Sequence, residues 1–367
     1  MRKRLKRMII YFMIAAIILY IISANVPKNH TPKNTYSTFE EFYQDKNFES
    51  AIQKENGKYI VSSDLIIDPE VSIDLNSEIL EFDCEFNATC GIYISGTLNV
   101  LNNSKITKKK ENSYAFWYKK GSRGKIEDST IEYTWTGKGK ANEAGLLIES
   151  NQFKILGSVI QNSKGTGIQF SGKDIIIKDS IISHNGANGI EIFSTIDPAY
   201  FEVYNNLIFN NGADENRFDG CGVLTDNSIG ILRDNIIFKN RYCGFETDCS
   251  KLNYPCTVRA YNNEIYKNGH DGLFAHENSN LTAYENTITS NRIGISLDNY
   301  QTGRETELNI YKNMIKSNDI AIEITNNKNT LVEIRENILI KNGRNIVIQD
   351  SYNILTENNE IIEIRNE

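Results

Sequence analysis

The 367-residue sequence is poor in the residues that metal and nucleophilic chemistry draw on, with four histidines, four methionines and two tryptophans. Its six cysteines contain no Cys-x-x-Cys pair, so a zinc or dithiol redox site has no ligand spacing to rest on. No Gly-rich phosphate loop, Gly-x-Ser-x-Gly elbow or His-Glu-x-x-His occurs, which removes nucleotide, serine-hydrolase and zinc-protease chemistry.

The charge is unevenly placed. Arg2, Lys3, Arg4, Lys6 and Arg7 precede an uncharged apolar run from Met8 to about Ala24. Cations on the side that stays cytoplasmic, followed by such a run, predict a membrane anchor over residues 1–24, preferred to a cleaved signal peptide, with the rest of the chain extracytoplasmic. Without those five cations the remainder has 35 basic and 47 acidic residues, a net charge of −12, which argues against non-specific nucleic-acid binding. Residues 25–36 read as a polar linker. Thr38-Phe39-Glu40-Glu41 has the form of a capping box, and Phe39, Phe42, Tyr43, Phe48 and Ile52 follow at helical spacing, predicting a short capping helix over 37–56. In an exported chain the even cysteine count predicts disulfides; Cys84 with Cys90 is the simplest pair, while Cys221, Cys243, Cys249 and Cys256 leave three pairings open.

From residue 57 to 367 the chain repeats a unit of which Tyr261 to His276 is the clearest copy. A polar column runs through Ser104, Ser129, Ser158, Ser180, Asn206, Asn235, Asn263, Asn286, Asn313, Asn337 and Asn359 at spacings of 22 to 29 residues. A second runs five residues later through Asn185, Asn211, Asn240, Asn268, Asn291, Asn318 and Asn342. Between them lie apolar runs too short to bury a face alone. Stacking equivalent runs in parallel, about 4.8 Å apart, gives a continuous core and lets each Asn amide bond its copy in the next rung. The Leu-x-x-Leu-x-Leu signature of a leucine-rich repeat and the Gly-Gly-x-Gly-x-Asp of calcium-binding nonapeptide arrays are both absent. The residues resemble the right-handed parallel β-helix superfamily of pectate lyases, polysaccharide epimerases and NosD-like proteins. The fold class expected is therefore an all-β solenoid with an N-terminal capping helix. The partner that the resemblance implies is a polysaccharide or cell-surface glycan.

Alignment on Gly167, Gly189, Gly222, Gly244, Gly272 and Gly294 places apolar residues one and three positions later, which by strand alternation point inward. The fourth position then points out and reads Ser171, Phe193, Asp226, Asp248, His276, Asp298 and Thr325. Glu246 shares that face, and Tyr242, His270 and Arg292 precede their glycines by two on the same parity. Two chemistries suit such a patch. Asp226, Asp248 and Glu246 offer hard oxygen ligands for Ca²⁺. Alternatively His276, flanked by carboxylates, abstracts the proton next to a uronate carboxylate with Tyr242 or Arg292 as partner, serving a lyase or an epimerase. His270 and Asp298 are candidate substrate-binding residues, as are Trp117 and Tyr118 in the cationic, aromatic-rich stretch from Lys105 to Lys140.

Cys243-Gly244-Phe245-Glu246-Thr247-Asp248 and Asn268-Gly269-His270-Asp271-Gly272-Leu273-Phe274-Ala275-His276 are similar to the mannuronan C5-epimerase patterns Tyr-Gly-Phe-Asp-Pro-His and Asn-Gly-x-Asp-Gly-Phe-x-Ala-Asp. Under that resemblance Cys243 takes the place of the catalytic Tyr, Glu246 of the Asp, Asp248 of the His and His276 of the last Asp. No Asp-Asp pair and no Gly-His-Gly occurs, so an inverting polygalacturonase-type hydrolase is not expected. Soft copper ligands for a NosD-like role are also scarce. The rival from another class is a non-catalytic, adhesin-like rod whose solenoid surface binds glycan.

Overall fold

The computed structural model describes residues 34–46, 51–84, 90–137, 144–195, 197–213, 220–249, 256–276, 278–298, 306–327 and 330–363. Each full turn contributes one strand to each of three sheets. A front sheet of 12 strands runs from Leu65–Ile67 to Arg344–Gln349, and a side sheet of 13 from Asn34–Tyr36 to Ile354–Glu357. A third sheet of 14 runs from Ile52–Glu55 to Glu360–Ile362. Neighbouring rungs pair in parallel without a register slip, as in Val223↔Phe245 and Phe245↔Leu273.

Side-chain alternation builds the core. Ile168, Phe170, Ile190, Ile192, Val223, Phe245, Leu273 and Ala275 all point inward and are fully buried. Large apolar side chains buried in this way each contribute about 1.5–3 kcal/mol. The glycine that opens each of these strands is needed for close backbone approach: a Cβ at Gly244 would lie 2.6 Å from the Gly272 carbonyl oxygen, and one at Gly272 2.5 Å from that of Gly294.

At the corners the polar columns form buried ladders. The Asn235 backbone N–H and its Nδ2 both donate to Asn263 Oδ1 at 3.0 Å, and Asn263 repeats this toward Asn286 at 3.0 and 2.9 Å. The second column does the same from Asn240 to Asn268 and from Asn268 to Asn291. In the earlier rungs serine takes over the acceptor role, with Ser129 N–H donating to Ser158 Oγ and Ser158 N–H to Ser180 Oγ, each at 3.1 Å.

Over the first rung lies one short helix, α1, Phe39–Lys46. Thr38 Oγ1 accepts from Glu41 N–H at 3.2 Å, and the Glu78 carboxylate accepts from Phe39 N–H at 3.0 Å, so the exposed donors of the first turn are satisfied. Phe39 and Phe42 are buried against Tyr36 and Tyr59. Lys54 and Tyr59 hydrogen-bond Glu40 and hold its carboxyl down at about 2.

Three expectations about the N-terminal region are corrected. The capping helix does not extend through 37–56, because Ile52–Glu55 is a strand paired antiparallel with Lys58–Val61. The Asn56-Gly57 turn between them, with φ of 50° and 79°, is hairpin chemistry and not helix. The linker ends before residue 34, because Asn34–Tyr36 joins the side sheet against Val71–Ile73. The expected membrane anchor and membrane partner are not supported. No helix among the described residues is long and apolar enough to cross a membrane. The eight residues of α1 span about 12 Å, against the roughly 30 Å of a bilayer core. Residues 1–24, on which that expectation rested, lie outside the described residues.

Candidate functional site

The outer face of the front sheet carries the predicted column in register. Phe193 pairs with Asp226 and Asp226 with Asp248, while His276 pairs with Asp298 and Asp298 with Thr325. Asp248 and His276 occupy adjacent rungs, with His276 Nδ1 4.0 Å from Asp248 Oδ2 and both side chains about one-quarter exposed. Glu246 stands two residues before Asp248 on the same face, in register with Leu224 and Phe274.

A tighter cluster forms just before the strands begin. The His270 backbone N–H donates to the Tyr242 carbonyl, and their rings stack at 5.0 Å with 18° between planes. His270 Nδ1 lies 2.5 Å from Asp271 Oδ2, and Arg292 Nη2 donates to His270 Nε2. Asp271 is buried, and its other oxygen accepts from Ser296 Oγ at 2.9 Å. Burial raises the Tyr242 phenol above its ordinary value, and the negative charges of Asp271 and Glu246 add to the rise. Tyr242 therefore stays a proton donor at neutral pH. Asp271 orients the imidazole and leaves Nε2 facing the guanidinium.

Tyr242, His270 and Arg292 thus come together, and Asp248 lies beside His276. Asp271 was not a candidate in the sequence. It stands one residue before its glycine, where strand alternation turns a side chain inward, and the signal was its place in Asn268-Gly269-His270-Asp271-Gly272. Cys243 lies at the position of the expected phenol, but it is buried and disulfide-bonded to Cys221, so the adjacent Tyr242 brings the phenol to this face. The other pairs are Cys84–Cys90 and Cys249–Cys256.

Of the three carboxylates considered for Ca²⁺, Asp226 and Asp248 stand in register on adjacent rungs, with Glu246 two residues before Asp248. Among the described residues the group of three metal-type donors lying within 4.8 Å of one another is Cys221, Cys243 and Glu246. Its two sulfurs are joined in the disulfide, with Glu246 Oε2 3.4 Å from Cys221 Sγ, so no thiolate is available.

Of the aromatic candidates, Trp117 lies on the front face, where its Nε1 donates to Glu149 at 2.9 Å and Lys119 lies over its ring. Tyr118 points the opposite way, is fully buried and donates to the Leu98 carbonyl. Trp117 stands five rungs from Glu246, roughly 24 Å at the spacing of paired strands. Lysines of the cationic stretch are engaged locally, Lys105 with Glu132, Lys110 with Asp83 and Lys125 with Glu127.

The family model described as "Right handed beta helix region" matches residues 69–214, 144–309 and 216–361. The fold is similar to that of the periplasmic alginate epimerase AlgG, with a TM-score of 0.69 and 13% identity over 90% of this chain and 86% of that one. A double mutant of AlgG gives 0.68 at 12% identity with the same coverage. At such identity the likeness is one of fold alone. No curated protein sequence matches. The family match spans most of the solenoid, and the chain belongs to the right-handed β-helix family.

Proposed function

We propose that this protein acts outside the cytoplasm on a uronate-bearing polysaccharide, breaking the C5–H bond as a C5-epimerase or a lyase does. The observation that carries the reading is the Asp271–His270–Arg292 relay stacked beneath Tyr242 on a solvent-accessible sheet face. Three disulfides that use all six cysteines support an oxidising compartment.

C5 of a uronate is acidic only when the negative charge of its carboxylate is offset. Arg292 supplies that charge in a planar fork that matches a carboxylate. When Arg292 turns to the substrate, it frees Nε2 of His270. With Nδ1 held by Asp271, Nε2 is the lone pair available to take the C5 proton. His270 therefore takes the base role first assigned to His276, which stays beside Asp248 as a substrate-binding residue. Tyr242, kept protonated and stacked on the same side as His270, donates to the leaving O4, which eliminates it, whereas return of a proton to C5 from the opposite face, which inverts the centre, falls to solvent. Both outcomes pass through the same enolate.

The test is incubation of the chain with oligomannuronate in D₂O, reading deuterium at C5 by NMR and unsaturated product by absorbance. His270→Gln and Arg292→Ala are expected to lower turnover by at least about 10²-fold with melting unchanged. Turnover equal to wild type in both variants would sink the assignment. Binding without exchange in the wild type would favour the glycan-binding rod.

A further inference from the structure

Around the corner from the front face, on rungs shared with Asp226 and Asp248, the outer face of the side sheet bears an open trough of about 950 Å³. Its floor is apolar, formed by Ile176, Ile229 and Ile231, with the Tyr200 ring 51% exposed at one side. Gly230 shapes it. In the inward column Gly230 stands between the buried Phe201 and Val258, and a Cβ there would fall 2.5 Å from the Phe201 ring. That ring fills the space beneath, and the backbone of Gly230 is left half-exposed at the base of the trough.

Charges are spaced along it. One outward column reads Lys154, Ile176, Glu202, Ile231, Arg259, rung by rung, with Asp174 and Tyr200 alongside. Lys154 and Arg259 are four rungs apart, about 19 Å. None of the four charged residues has an ion-pair partner among the described residues, although opposite charges share the trough. All four are exposed.

The floor decides the kind of occupant. Its backbone N–H and C=O groups are spent on neighbouring rungs, so a peptide cannot add here as a strand, and recognition falls to side chains alone. A rigid ring ligand suits that demand. Its C–H face stacks on Tyr200 and the isoleucines, its hydroxyls donate to Asp174 and Glu202, and its carboxylates pair with Lys154 and Arg259. We propose that the trough is a second binding site for a uronate oligosaccharide, holding the polymer on the face that adjoins the front cluster. The glycan class rests on the reading of the front face given above, whereas the site itself does not.

The experiment is titration of the full chain with labelled oligomannuronate, read by calorimetry and native mass spectrometry, on wild type and on Tyr200→Ala, Arg259→Ala and Arg292→Ala. Wild type is expected to take up a second oligomer. Tyr200→Ala and Arg259→Ala should lose it, or weaken it by at least about tenfold, the size of one lost charge-assisted bond. Melting and C5 exchange on short oligomers should stay unchanged. Arg292→Ala should retain trough binding. If both trough variants bind as wild type while Arg292→Ala loses exchange, the trough proposal falls and the front-face reading stands. If the trough variants lose binding and wild type shows no exchange, the reverse holds. Uptake of an isoleucine-rich peptide in the trough with no uronate bound would overturn the proposal in favour of a protein partner.

Discussion

Two polar columns climb the same solenoid under opposite rules. The Asn263 ladder is buried at a corner, and the Asp226–Asp248–His276–Asp298 column stands on the front face, yet each places one side chain per rung. An amide both donates and accepts, so Asn stacked on Asn satisfies itself and needs no water. A carboxylate only accepts, and carboxylates in line repel, so a column of them has to face solvent or a ligand. Repetition therefore stabilises the inner column and confines the outer one to the outer face of the front sheet.

The largest effect that separates them is on stability. Asn263→Ala removes the acceptor of Asn235 N–H and Nδ2 and the donor to the Leu232 carbonyl, all buried. It is expected to cost about 3 kcal/mol or more, since each orphaned buried group costs about 1–3 kcal/mol. Denaturant unfolding measures this, and hydrogen exchange should place the weakening in the adjoining rungs. A loss below about 1 kcal/mol would remove the distinction between the columns. Next, Asp248→Asn on the outer column should change unfolding free energy by no more than about 0.5 kcal/mol, as at other solvent-facing positions. A change as large as that of Asn263→Ala would make the outer column structural. The smallest effect expected is that of Ca²⁺. A convergent site with a Kd of about 10 μM would add about 2.7 kcal/mol at millimolar Ca²⁺. Asp226 and Asp248 join no group of three metal-type donors within 4.8 Å of one another among the described residues, so no shift in melting is expected, and a clear upward shift lost in Asp226→Asn would overturn that.

Much of this was legible from spacing. The ladder asparagines, the inward residues around Gly244 and Gly272, and the outward run from Asp226 to Asp298 all follow from period and alternation, because a solenoid repeats one local geometry. Asn56-Gly57 is a hairpin turn signal, and Ile52, counted in the helical spacing that starts at Phe39, belongs to the hairpin. Tyr118 was a surface candidate beside Trp117, although adjacent strand residues face opposite ways. Asp271 escaped because alternation marks an inward position as core, whereas the first residue of that strand sits where the corner lets a buried carboxylate reach the surface imidazole.

The sequence by itself determined the parallel solenoid, its ladders and the face on which charge accumulates, since these need only the repeat and the direction of side chains along a strand. The tertiary structure decided which of the two front-face histidines has its tautomer held, how four cysteines pair, and that a glycine over Phe201 leaves a trough on a second face. Cys249–Cys256 closes over 7 residues and Asp271 holds the ring of its neighbour His270, whereas the Cys221–Cys243 bond, the Arg292–His270 contact and the Gly230–Phe201 pairing join residues 22 or more apart across rungs. Distances of that kind come from stacking, which the repeat specifies as a rule but not residue by residue.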